Sequence, residues 1–435
     1  MSRWRDTTMG ELMRVEHGFA FKGEYFSESG ELVVLTPGNF HEAGGFRARP
    51  DKDRFYLGKF PDRYLLSQND LIVAMTEQGE GLLGSSALIP ESGKYLHNQR
   101  IGLVRPKKDS ADRTFLYYLF NTDYVRQQIR NSSAGAKIRH TSPERIYRTK
   151  VRVPEKVSQS KVAAILSAYD ELIENNRRRI ALLEKLAEEI YREWFVRLRF
   201  PGHEKVKLIK GIPQGWRVAE LKELAAVNPS SISRRDNLET IRYVDISSVS
   251  TNRIEEVTTY APREAPGRAR RRVKHGDVIW SSVRPANRAY CLIYEPSENL
   301  IVSTGFAVIR PNATTPFTFL FFAVTSNPFV DQMTVVAKGA AYPATSFDDF
   351  EKAKLLVPSD DLLKSFHEKA EPMFHQKHLL QQQSERLQQT RDLLLPRLIS
   401  GKLPVENLAI QFPPGMASAA AEAPARLAEE TEAVA

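Results

Sequence analysis

The chain reads as an α+β protein in which two pseudo-symmetric globular domains are joined by two long helices that pair with each other. Two observations predict this. A heptad stripe runs through ELIENNRRRIALLEKLAEEIYREWF (Glu171 to Phe195): Tyr169, Asn176, Leu183 and Ile190 stand seven apart, with Ile165, Leu172, Arg179 and Leu186 at the alternate seam positions. A helix with such a stripe needs a partner helix. The partner lies in the same chain, because Gly135 and Gly339, Pro154 and Pro358, and Leu183 and Leu387 each stand 204 positions apart. That register places Phe366, Met373, Leu380, Leu387 and Leu394 where Val162, Tyr169, Asn176, Leu183 and Ile190 stood. A period of about 200 residues is the size of a domain plus its connector, too long for a solenoid repeat.

Bulk properties agree. A length of 435 residues with 42% hydrophobic residues fits about two to four ordinary globular domains. One cysteine, Cys291, cannot build an internal disulfide framework and points to a reducing setting. The N-terminal MSRWRDTTMG has no apolar signal core and no uninterrupted apolar run is long enough to span a bilayer, so the expected location is cytoplasmic. A net charge of +9, with Arg268, Arg270, Arg271, Arg272 and Lys274 clustered, favours a polyanionic partner.

In order, residues 1–155 form the first domain. LVVLTPGNF (Leu32 to Phe40) reads as a buried strand, NDLIVAM (Asn69 to Met75) as a second entered through a turn, and IGLVRP (Ile101 to Pro106) as a third. TFLYYLFNTDYVRQQIR (Thr114 to Arg130) has helical spacing with a break near Asn121, and a loop from Ser132 to Ser142 leads to VRVP (Val151 to Pro154). Residues 156–203 form the central helix. Residues 204–358 replay the first domain: IRYVDISSV (Ile241 to Val249), GDVIWSS (Gly276 to Ser282) and FAVIRP (Phe306 to Pro311) answer the three strands. Pro328 stands where Tyr124 stood, so the matching helix splits there, with Ser326 or Asn327 as cap. The loop Lys338 to Ser346 answers Ser132 to Ser142. Residues 359–403 form the distal helix, which Pro396 should interrupt and Gly401 should stop. Residues 404–435 are alanine-rich and proline-broken and read as a disordered tail.

Two unlike heads on a helical spacer suit a duplex ligand. A helix of about 35 residues is roughly 50 Å long, and equivalent grooves recur about every 34 Å along double-stranded DNA. The target predicted is a split, asymmetric DNA sequence with an unread gap. Here the residues resemble a family, the specificity (S) subunits of type I restriction-modification systems. The carriers are GFAFKG (Gly18 to Gly23), YVDISSV after GWRVAEL, the paired NDLIVAM and GDVIWSS, the two glycine loops, ENNRRRIALLEKLAEEIYREWF, and LQQTRDLLLPRLISGKL (Leu387 to Leu403). The resemblance implies that the globular halves are target-recognition domains and that the long helices form an antiparallel coiled coil. It also implies that the helices dock two modification (methyltransferase) subunits, that restriction (translocase and nuclease) subunits join them, and that the chain itself does no chemistry.

The candidate DNA contacts follow from residue type. Lys137, Arg139 and His140 in one loop, and Lys338, Tyr342 and Ser346 in the other, supply donors for phosphates or base edges. Asn98, Gln99 and Arg100 precede the third strand, where amides can read adenine and the competing reading is a turn. Ser281, Ser282, Arg284, Asn287 and Arg288 follow a strand end. Lys22 lies between Phe21 and Gly23 as a phosphate contact, its aromatic neighbours being core. On the helices, Asn176, Arg179, Leu183, Leu186, Ile190, Leu380, Leu387 and Leu394 are the candidates for helix pairing or subunit contact.

Catalytic signatures are poor. Ser326-Asn327-Pro328-Phe329 lacks one proline of the amino-methyltransferase motif, and Gly93-Lys94 and Gly401-Lys402 lack the rest of a phosphate loop. No cofactor is expected. His140, His275, His367, His375 and His378 make no metal-ligand pattern, and His375 and His378 read as part of a solvated helix face. The competing readings are a duplicated interaction scaffold, a self-contained methyltransferase or nuclease, and an S-like subunit of a related multisubunit system.

Overall fold

Both heads are entered through one kind of aspartate turn. Asp70 Oδ2 accepts from the Ser67 N–H at 3.0 Å in the first, and Asp277 Oδ2 from the Lys274 N–H at 2.7 Å in the second. Each turn delivers a fully buried strand, Leu71–Ala74 or Val278–Ser281, into the middle of a four-stranded antiparallel sheet. In the first head the order is Met13–His17, Ile101–Pro106, Leu71–Ala74, Ser86–Leu88; in the second it is Ala225–Val227, Phe306–Pro311, Val278–Ser281, Tyr290–Leu292. The same aspartates anchor an arginine on the neighbouring strand. Asp70 takes Arg105 at 2.8 Å, while Asp277, fully buried, takes Arg310 in two bonds of 2.8 and 2.7 Å.

The computed structural model describes residues 4–78, 81–107, 109–233, 236–339, 342–410 and 412. Most of the expected tail, and two residues of the second glycine loop, lie outside them. The chain divides into two compact units, one drawn from Met1–Asn175 with Ser384–Ala435 and the other Asn176–Gln383. Each unit therefore holds one head and a segment of both long helices.

A second strand pair closes each head, Arg5–Thr8 with Lys150–Val153 and Arg217–Glu220 with Lys354–Val357. The expected helix break occurs in both. Asp112 caps Arg113–Phe120 and Thr122 caps Asp123–Asn131 through their side chains. In the second head the helices are Phe317–Thr325 and Asn327–Val336, with Ser326 extended between them and Pro328 in the first turn, where no N–H is needed. Ser326 is not a side-chain cap as expected: its hydroxyl donates back to the Ala323 carbonyl at 2.8 Å.

A second small sheet completes each head, and both contain a parallel pair, Val33–Val34 beside Tyr95–Leu96 and Ile241–Val244 beside Leu300–Ser303. The strand expected over Leu32 to Phe40 is thus only two residues long. Asn39 Oδ1 accepts from the Thr36 N–H at 2.8 Å and closes a 3-10 turn at Pro37–Asn39, so the chain leaves the sheet before the proline.

The long helices are Lys156–Tyr191, prolonged by a π-helical turn at Arg192–Val196, and Asp360–Ile399. Their segments are antiparallel in each unit, since partner numbers fall as the central helix advances. Asp170 pairs with Arg391 in the first unit; in the second, Asn176 Nδ2 donates to Gln383 Oε1 at 3.2 Å and Lys377 meets Glu184 at 2.6 Å. Half of the predicted stripe is displaced by one position. Tyr169, Asn176, Leu183 and Ile190 face inward, but their companions on the seam are Leu166, Ile173, Ile180, Ala187 and Trp194. Arg179 is exposed, and Leu172 and Leu186 are 49% and 51% exposed. One residue turns a helix face by about 100°, which carries those side chains off the seam.

Pro396 does not interrupt the distal helix, which continues to Ile399, and Pro372 also lies within it. A proline in the last turn removes only one hydrogen bond, and Leu398 and Ile399 just beyond it are buried in the core of the first unit. Gly401 does stop the helix, in the left-handed conformation (φ 76°), and a Cβ there would fall 2.5 Å from the Trp4 ring. Among the described residues no helix is long and apolar enough to cross a membrane.

Candidate nucleic-acid interface

The two glycine loops are held by the same backbone frame. Ala134 and His140 exchange both backbone hydrogen bonds, as do Lys338 and Ala344, and the next residue ties back to the central strand, Thr141 N–H to the Met75 carbonyl and Thr345 N–H to the Ser282 carbonyl. Gly135 (φ 100°) and Gly339 (φ 110°) turn the chain where a side chain would be strained. A Cβ on Gly135 would lie 2.0 Å from the Ile138 carbonyl oxygen.

What each frame presents is different. In the first head, Ile138–His140 pairs with Thr76–Gln78 as a short antiparallel ribbon. Lys137 is exposed, Arg139 is half-buried, and His140 is exposed with its Nδ1 3.1 Å from Thr76 Oγ1. Beneath the ribbon, buried Glu77 accepts from the N–H groups of Gly81, Leu82 and Leu83 at 3.1, 2.9 and 2.8 Å and meets Arg130 at 3.5 Å. A carboxylate saturated in this way fixes the adjoining loop.

In the second head a knuckle replaces the ribbon. Arg284 and Arg288 hold left-handed backbone (φ 50° and 54°) around a 3-10 turn at Pro285–Asn287, which costs an L-residue about 1–2 kcal/mol. The Arg284 N–H donates to the Pro343 carbonyl at 2.7 Å and its guanidinium lies 4.7 Å over the Tyr342 ring. Arg284, Asn287, Lys338 and Tyr342 are all exposed, and Arg288 is half-buried. Only Arg284 of the two left-handed arginines is exposed.

Other candidates are spent on structure. Ser281 donates its hydroxyl to the Val283 carbonyl at 2.9 Å and Ser282 to that of Gly305 at 2.8 Å, and both are buried. Ser346 caps Phe347–Glu351 with a reciprocal Asp349 bond. Asn98 closes a turn, its Oδ1 accepting from the Arg100 N–H at 2.9 Å, while Gln99 donates its N–H to Phe19 and keeps its side chain, like that of Arg100, exposed. Lys22 is exposed beside Phe21, which packs edge-on against Phe19 and Tyr56. Asn176, Leu183, Ile190, Leu380, Leu387 and Leu394 lie on the helix seam, Leu380 only 2% exposed.

Several cations escaped sequence reasoning. Arg54 lies over Phe26 and Arg63 over Tyr64 in the first head, while Arg271 of the expected basic cluster lies over Phe347 in the second. The basic run is an edge strand, Ala269–Arg272, flanked by ion pairs of Arg268 with Asp245 and Arg272 with Asp236. His375 and His378 do not simply face solvent: with His275 they surround Tyr294, whose hydroxyl donates to Glu371 at 2.9 Å. Among the described residues no cluster of His, Cys, Asp or Glu is arranged to hold a metal ion. Burial pushes the Cys291 thiol up to about 11, which removes it as a nucleophile near neutral pH.

Comparison with known proteins points one way. Residues 1–185 match the family model described as the type I restriction modification DNA specificity domain. The chain is 25% identical to the MjaIX type I restriction enzyme specificity subunit of Methanocaldococcus jannaschii, over 72% of this chain and 73% of that one. It is 26% identical to the HindI specificity subunit of Haemophilus influenzae, over 48% and 46%. The crystal structure of the S subunit of a type I restriction-modification system from M. genitalium superposes with a TM-score of 0.59 at 16% identity, covering 91% of this chain and 96% of that one.

Proposed function

We propose that this chain, which carries a type I DNA specificity domain in residues 1–185 and resembles type I specificity subunits, reads one half of a split, asymmetric duplex sequence with each head. In this reading it is the recognition component of a methyltransferase and endonuclease complex and does no chemistry. Its paired helices dock two modification subunits, and restriction subunits join them. Exposed Arg179, Leu172 and Leu186, turned off the helix seam, are the helix positions offered to a partner.

The supporting observation is the pair of equivalent loops. Both are pinned by the same backbone bonds, yet one presents Lys137, Arg139 and His140, and the other Lys338 and Tyr342 beside Arg284. A constant frame with unlike side chains is what reading two unlike half-sites requires, since phosphate contacts set register and base-edge contacts carry sequence.

Binding of the purified chain to random-sequence duplex, measured across a salt series, tests this reading. The affinity should fall steeply, with a logarithmic slope of about −0.9 for every phosphate neutralised. Arg284→Ala should weaken binding about tenfold. A flat salt response would instead favour protein-binding heads.

A further inference from the structure

Ile138 and Tyr342 occupy the same place in the two heads. They stand 204 positions apart, the offset of the duplication, three residues beyond the left-handed Gly135 and Gly339. Both are large, apolar and outward: Ile138 is 44% exposed and Tyr342 69%. A single exposed apolar residue means nothing. Two at equivalent loop positions, where Lys137, Arg139 and His140 around the first give way to Ala341, Pro343 and Ala344 around the second, are harder to dismiss.

Each has a long polar neighbour. Ile138 is paired across the ribbon with Gln78, and Tyr342 lies under the Arg284 guanidinium. The loop ends that carry them are tied by the Ala134–His140 and Lys338–Ala344 hydrogen bonds. An exposed apolar side chain beside a hydrogen-bond donor or a cation has the chemistry of a wedge. The donors hold the phosphates while the apolar surface leaves water by entering the base stack.

We infer that Ile138 and Tyr342 are a pair of wedges, each inserting at a base step of its own half-site and unstacking it. The inference rests on the DNA-recognition reading above. Ile138 can only press between bases, whereas Tyr342 can also stack on one. The two half-sites should therefore be distorted to different degrees.

The test uses the full chain without any methyltransferase, so that no base flipping contributes. The probe is a linear duplex carrying the motif mapped from modified genomic DNA, with 2-aminopurine replacing one base at a time. The wild-type chain should brighten the probe at one step in each half. Tyr342→Ser should abolish the signal in one half only, and Ile138→Ser in the other. Each should weaken binding about tenfold with an unchanged salt slope, because an apolar group releases no counterions. Both positions are exposed, so unaltered melting of the variants verifies folding. Brightening that persists in both variants, or binding that they leave intact, overturns the wedge while sparing the DNA reading. Failure of the wild-type chain to bind any duplex overturns both.

Discussion

The two heads differ least where their cores are built and most where they meet solvent. The aspartate turn, the strand order of the larger sheet, the broken helix and the loop frame recur in both. The smaller sheets diverge. In the first head the fourth strand, Phe26–Ser27, pairs with Phe55–Tyr56 at one edge; in the second, Ala269–Arg272 pairs with Leu300–Ser303 at the other. The loops go further, from a ribbon steadied by Glu77 to a knuckle of left-handed arginines. The parts that bury the backbone agree between the heads, and those that face solvent differ.

That contrast can be broken at the shared ion pair. Asp277 is fully buried and holds Arg310 with two bonds, whereas Asp70 is 10% exposed and holds Arg105 with one, Arg105 also lying 3.5 Å from Glu16. Removing one partner of a buried pair strands a charge. Arg310→Leu should therefore cost about 3–5 kcal/mol, and Arg105→Leu, from a more exposed pair, about 1–2 kcal/mol. Urea melts followed by hydrogen exchange of Ile101–Pro106 and Phe306–Pro311 would separate the two. Equal costs would mean that the heads share a turn but not its energetics.

A smaller difference concerns pH. Four residues before Ile101 stands His97, 1% exposed, its Nε2 2.8 Å from the Ile101 carbonyl; four before Phe306 stands Val302, fully buried. Burial holds the His97 imidazole below its ordinary value. The neutral ring is thus favoured in the folded state, so its contribution is present above the unfolded value of about 6.5 and is lost as pH falls below it. Protection of Ile101–Pro106 should drop between about pH 7 and pH 5, and His97→Val should flatten that response while leaving Phe306–Pro311, whose unit holds its own depressed histidine, His367, unchanged. A drop at Ile101–Pro106 that persists in His97→Val would place the cause elsewhere.

These differences also show which features a sequence discloses. NDLIVAM and GDVIWSS announce turn, strand and burial, because an aspartate turn before an apolar run has few other uses. The helix break was legible at Asn121 and Pro328 for the same reason. The phase of the seam was not. Leu172 and Leu186 are as apolar as Ile173 and Ala187, so a stripe stepping three then four competes with one stepping four then three until a partner helix chooses. Ser281, Ser282 and Ser346 were plausible donors by type, but the hydroxyls of all three are used within the fold. The placement of Arg284 and Arg288 depends on a left-handed backbone that no pattern of arginines reveals.

The division of labour between the heads is tested most directly by exchange. The chain is expressed with its neighbouring modification subunit, modified adenines are mapped across the host genome, and residues 1–155 are then replaced by the matching segment of a relative. A split motif with a constant gap, of which the exchange rewrites one half and leaves the other intact, is the predicted result. A contiguous motif, or an exchange that alters both halves together, would contradict it.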